Sequence, residues 1–197
     1  MRRDYGGDRV EKRKKFMVYL IAFVMIGSTF GVIFYGYNSG TGSIRYNDFK
    51  FVNKGGLWST NVNGREALFT YFPSDVEPIN ISSSINSKLK DRLEIDVTSD
   101  FNDTFAETIA LAQYQMGIVL SNFNVFVRGG FTGSNPSNFT VITCKDASDF
   151  VPSIYFKNSN ATNVFLKDNC IIAEAASKAD VARIKDRLVY GMLGIIQ

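Results

Sequence analysis

Four carboxylates crowd one short stretch of the chain: Asp96, Asp100, Asp103 and Glu107, around Ser99-Asp100-Phe101-Asn102-Asp103-Thr104. Hard oxygen ligands at such spacing could hold Ca²⁺ or Mg²⁺. They fall where a strand hands over to a helix, an edge at which α/β sheets bind ligands. The spacing does not match an EF-hand loop. Acids at a helix start also have a purely structural use, because the helix dipole and the unpaired amides of the first turn favour them. A second candidate is the glycine-rich run Arg128-Gly129-Gly130-Phe131-Thr132-Gly133-Ser134-Asn135. Backbone amides in such a loop can cradle an anion, but neither a Gly-Lys-Ser/Thr ending nor Gly-x-Gly-x-x-Gly is present. Ser87-Lys88-Leu89-Lys90 offers a Ser-x-x-Lys without the supporting elements of the penicillin-binding type.

The chain contains no histidine. That excludes Ser-His-Asp and Cys-His catalysis, histidine-ligated zinc and imidazole switching. Its two cysteines, Cys144 and Cys170, are too far apart in sequence for a Cys-x-x-Cys redox motif. In an oxidising compartment they are expected to form one structural disulfide. The residues point away from an enzyme, and no cofactor is expected.

Residues 16–37 run for 22 positions without a charge, behind Lys12-Arg13-Lys14-Lys15. A helix of that length is about 33 Å long, enough for a hydrocarbon core of about 30 Å. The basic tail 1–15 predicts a cytoplasmic N-terminus and an external C-terminal part. The apolar run is too long for the core of a cleaved signal peptide, so it reads as a signal-anchor. A prepilin leader would normally carry Gly at its cleavage point and often Glu soon after, and neither is present. Gly27 and Gly31, four apart, could let two such helices approach closely. Seven of the 22 basic and three of the 19 acidic residues lie in the tail, which leaves 15 basic against 16 acidic residues beyond it. A nearly neutral external part offers no face to nucleic acid. The expected partners are the lipid membrane and a protein, either another component or a second copy, at the cell surface. Asn80, Asn102, Asn138 and Asn160 head Asn-x-Ser/Thr sequons and are candidate glycosylation sites.

The elements that must position these groups follow from periodicity. Residues 38–48 read as a linker and 49–197 as one external globular domain. Strands are expected at 49–52, 57–62, 66–71, 93–97, 124–128, 139–144, 153–157, 163–167 and 170–175. Asn63-Gly64 marks a two-residue hairpin, 158–161 a turn between the strands at 153 and 163, and Asp168-Asn169 the last turn. Helices are expected at 79–90, 104–123 and 178–193. Thr104 with Glu107 forms a capping box, and Ser177 with Asp180 suits the last helix start. Val181, Ile184, Leu188, Met192 and Ile195 form its apolar stripe. Trp58, beside a Gly-Gly turn, could face a partner. The fold class is α/β or α+β, with one N-terminal transmembrane helix and a central mixed sheet carrying about three packed helices.

This layout, with Glu66-Ala-Leu-Phe-Thr-Tyr-Phe-Pro73, Asp96-Val-Thr-Ser-Asp-Phe-Asn-Asp-Thr104, Asp168-Asn-Cys-Ile-Ile-Ala-Glu174 and Asp186-Arg-Leu-Val-Tyr190, resembles single-pass membrane-anchored proteins of archaea. The family has no assigned activity, so the resemblance implies a cell-surface setting and no catalytic residue. The expectation is a membrane-anchored binding or assembly component without catalytic activity. The alternative is an anchored metal- or ligand-binding or hydrolytic domain using Asp96, Asp100, Asp103 and Glu107.

Overall fold

The computed structural model of the chain describes residues 15–27, 42–134 and 138–196. Two compact units are present, Met1–Gly42 and Ser43–Gln197. In the first, helix α1 covers residues 15–27 with its side chains exposed. Among the described residues no helix is long and apolar enough to cross a membrane. The rest of the expected span, 28–37 with Gly31, and the tail before Lys15 lie outside the described residues.

The second unit opens with an antiparallel meander, β1 (Ser43–Tyr46), β2 (Phe49–Lys54), β3 (Leu57–Val62) and β4 (Arg65–Phe69). Its first strand lies inside the segment expected to be linker, so the folded part starts at Ser43 rather than 49. The β3–β4 hairpin turns at Asn63-Gly64, where both residues take positive φ (+52° and +82°). That conformation suits the short Asn side chain and costs Gly nothing. Trp58 is half-buried and packs on Phe72, 4.9 Å between ring centroids, rather than standing out towards a partner.

Chain order continues through α2 (Pro73–Val76), α3 (Ser83–Leu89), β5 (Glu94–Ser99), α4 (Ala106–Ser121), β6 (Phe126–Phe131), β7 (Ser153–Asn158), β8 (Asn163–Lys167), β9 (Cys170–Ala175) and α5 (Lys178–Met192). The expected single central sheet is two sheets. Pro73 at the start of α2 takes the chain off the meander, and β5 then founds a second sheet of order β6-β5-β7-β9-β8. β5, β6, β7 and β9 are parallel neighbours, and β8 is antiparallel to β9.

The expected hairpin between β7 and β8 does not form, because β9 lies between them. The reason is burial: Cys170–Ala175 is buried at every position but Glu174, whereas Asn163 and Lys167 at the ends of β8 are exposed. A strand apolar on both faces belongs in the sheet interior. Residues 139–144 are not a strand either; Val141 makes only an isolated bridge with Phe131.

α4 packs on β4, β5 and β6, and α5 on β9, α2, α3 and α4. Tyr190 of α5 also stacks on Phe69 of the meander at 3.9 Å. The two long helices therefore lie between the sheets, and one continuous core joins Phe51 and Phe69 to Ile95, Met116, Ile154, Ile171, Ile184 and Leu188. The expected α5 stripe is buried apart from half-exposed Met192. Ser177 caps the helix, its Oγ accepting from Asp180 N at 3.2 Å.

Beside that stripe, Lys185, Asp186 and Arg187 are also buried. Asp186 Oδ2 accepts from the backbone N–H groups of Thr70 (2.9 Å) and Tyr71 (2.8 Å), with Lys185 Nζ against its other oxygen. The Tyr190 hydroxyl donates to Tyr71 O at 2.7 Å, and Asn47 Nδ2 to Ile195 O at 3.0 Å. Polar clamps thus fix the meander to the end of α5.

Candidate functional site

The carboxylates predicted from the sequence do not converge. Asp96 lies mid-strand in β5, 0% exposed, and its two oxygens accept from Arg128 Nε and Nη2, both at 2.7 Å. This bidentate fork is the strongest arrangement available to the pair. It also raises the Arg128 guanidinium above its ordinary value, chiefly through the Asp96 hydrogen bond.

Asp100 and Asp103 follow β5, at the end where the chain first turns to β6 on one side and later to β7 on the other. That switch point is the place for a ligand crevice, but the chain uses its own groups to fill it. Asp100 Oδ1 accepts from Asn102 N at 2.8 Å and Asp103 Oδ1 from Phe105 N at 2.7 Å. Asp103 Oδ2 accepts from Asn158 N at 2.9 Å, and Asn158 Nδ2 donates to Thr104 Oγ1 at 2.8 Å. Thr104 is thereby diverted from the expected capping box, and the α4 N-cap is Phe105 without a side-chain hydrogen bond. Glu107 stands exposed in the first turn. Among the described residues no group of three or more acids, cysteines or histidines could hold a metal ion.

The glycine-rich run is largely strand: Arg128 to Phe131 complete β6. Gly130 is required by packing, since a Cβ there would lie 2.7 Å from both Ile142 Cδ1 and Thr140 O. The segment 140–142 crosses at that point, with Phe131 N donating to Thr140 O and Ile142 N to Phe131 O. Cys144 and Cys170 are disulfide-bonded across 26 residues, which ties this crossing segment to β9. Ser87 and Lys90 lie at the end of α3 beside a cleft of about 800 Å³ against the end of α5. All four sequon asparagines, Asn80, Asn102, Asn138 and Asn160, are exposed, and Gly27 has open space around its Cα.

Sequence reasoning treated α4 as a core helix and missed its outer face. Leu111, Tyr114 and Ile118 are 54%, 67% and 47% exposed, and Glu107 is the only charge among residues 106–121. The signal was available: a helix apolar all round has more to cover than one core face. Beside it, β6 is an edge strand of its sheet. Phe126 N and Thr132 N donate to Leu93 O and Ser99 O, towards β5, while Phe131 bonds outward to the crossing segment. By alternation the N–H and C=O groups of Val127 and Gly129 face outward. Phe126 next to them is 62% exposed.

Comparison of the chain with family models, with curated proteins and with solved structures finds no match in any of the three.

Proposed function

We propose that this chain is a membrane-anchored assembly component, its N-terminal tail in the cytoplasm and its folded unit outside, that associates with a second copy of itself through α4 and the edge of β6. The observation that carries this reading is the exposed apolar stretch Leu111, Tyr114 and Ile118 on the outer face of α4, where Glu107 at the N-terminal end is the only charge. Water-facing helices normally carry their charges there. The single charge on this stripe is Glu107, one turn before Leu111, and an antiparallel crossing of two copies sets their Glu107 side chains at opposite ends of the contact, away from one another.

The open edge of β6 favours the same occupant. Antiparallel pairing about Val127 would set Phe126 of each copy opposite Arg128 of the other, a cation–π pair. The membrane reading rests on the uncharged run 16–37 and the basic tail. Confinement to a bilayer would raise the effective concentration and make a modest contact sufficient. The disulfide fits the external setting. The metal-binding or hydrolytic alternative has no support from the carboxylates, whose oxygens are engaged within the chain or dispersed.

The test is mild crosslinking of the full chain in its native membranes, followed by intact mass. A dimer that disappears in Tyr114→Asp/Ile118→Asp, with the melting temperature unchanged, is the expected result. Recovery of the chain alone with effective crosslinking controls refutes the reading. A dimer indifferent to those substitutions, or a different stoichiometric protein, refutes the assignment of this face to a second copy.

A further inference from the structure

Parallel strands are normally covered on both faces. Here α4 and α5 cover one face of the β6-β5-β7-β9-β8 sheet. The other face is only half covered. The crossing segment lies over β6 and β5, with Ile142 against Gly130 and Thr98 Oγ1 donating to Ile142 O at 2.8 Å. Beyond the Cys144–Cys170 bond, a cleft of about 770 Å³ stands over the same face of β7, β9 and β8, where Tyr155 and Phe165 are half-buried and Ile172 between them is buried. Cavities of about 300–1,000 Å³ are the usual size for small-molecule sites.

Strand register sets the chemistry of this cleft. Tyr155 and Phe165 both lie opposite Ile172, giving one apolar row across three strands, about 10 Å from first to last. Burial, and then the charge of Asp100, raises the Tyr155 hydroxyl above its ordinary value and keeps it neutral on this floor. Lys157 flanks the row and is neutralised by Glu174 at 2.8 Å. Lys145, from the disulfide segment, and Lys167, at the end of β8, also line the cleft. Neither has a salt-bridge partner among the described residues. Asp168 is the one carboxylate of the lining.

From this juxtaposition we infer that the cleft is a binding site for a small anionic ligand with a flat apolar body. The ring system lies on Tyr155 and Phe165, which Ile172 supports from between, and the acidic groups are met by Lys145 and Lys167. The disulfide is part of the site, because it fixes the wall that carries Lys145 over the sheet. The inference is independent of the α4 contact, which occupies the opposite side of the sheet.

The experiment is a calorimetric titration of the full chain with naphthalene-2,6-disulfonate, a soluble two-ring dianion. Saturable one-site binding is expected, weakened at least about tenfold by Lys145→Glu/Lys167→Glu and by Phe165→Ala, and weakened by salt. Tyr114→Asp leaves it unchanged. The two lysines are exposed, so their reversal leaves the melting temperature in place even where Phe165→Ala lowers it. No saturable binding below about 1 mM, or binding indifferent to the lysine reversal, overturns the proposal.

Discussion

Asp186→Ala removes the centre of the clamp between α5 and the meander. The wild-type carboxylate is 1% exposed, accepts from Thr70 N and Tyr71 N, and faces Lys185, itself 3% exposed. The substitution leaves two amides without their acceptor and a buried ammonium without its counter-charge. Hydrogen bonds to charged groups contribute about 1.5–3 kcal/mol each, and breaking a buried ion pair by removing one partner costs about 3–5 kcal/mol. These terms overlap, so we expect a loss of about 4 kcal/mol. Against a typical domain stability of about 5–15 kcal/mol, that is a large fraction. Asp186→Asn keeps a carbonyl oxygen for both amides and removes a charge that burial already disfavours, so its loss should fall well below that of the alanine. The assay is guanidinium unfolding of the full chain followed by Trp58 fluorescence. Trp58 is the single tryptophan and packs against Phe72, just before α2, so it reports on the clamped region. Lys54→Ala is the control: its ion pair with Glu66 is open to water on both sides, 59% and 49% exposed, and such pairs contribute about 0–1 kcal/mol. A loss below about 1 kcal/mol for Asp186→Ala, no larger than the control, would refute the clamp.

The pH dependence of the same group carries a definite sign. Burial, outweighing Lys185 and the two amides, raises the Asp186 carboxyl above its ordinary 3.8, so its stabilising share is full below that value and declines as pH rises through the folded value. The stability of wild type relative to Asp186→Asn, measured by urea unfolding, should therefore fall as pH rises above about 4; a rise would contradict this. Replacing both cysteines by serine opens a 26-residue loop and should lower stability by about 3–4 kcal/mol by chain entropy, read from the chemical-denaturation midpoint. Gly130→Ala forces a methyl against Ile142 and the Thr140 carbonyl. It should cost about 1–3 kcal/mol in the same assay, with faster amide exchange at Ile142 as the sign that the crossing segment has lifted.

Short-range chemistry decided much of this protein within the sequence. Asn63-Gly64 fixes a hairpin because those two residues tolerate positive φ, and Ser177 starts α5 because its side chain can meet the Asp180 amide. Alternating and continuous apolar runs placed β3, β8 and β9 at their observed bounds, and the absence of histidine excluded whole classes of catalysis. The pairing of Cys144 with Cys170 needed only that they are the two cysteines present.

Other features depend on partners distant in sequence, and tertiary structure alone decided them. Asp96, Asp100 and Asp103 look alike as a sequence cluster. Arg128 takes the first across two strands, and the turn amides and Asn158 take the others. Thr104 fits a capping box locally, yet Asn158, 54 residues away, claims its hydroxyl. Lys185, Asp186 and Arg187 are three consecutive charged residues that nothing local would bury, and it is the Thr70 and Tyr71 amides, at the end of the meander, that make burial of the aspartate tolerable. The apolar row Tyr155–Ile172–Phe165 exists only because β9 inserts between β7 and β8. Local propensity acts over a few residues, whereas strand order is set by which strand can lose both faces to water.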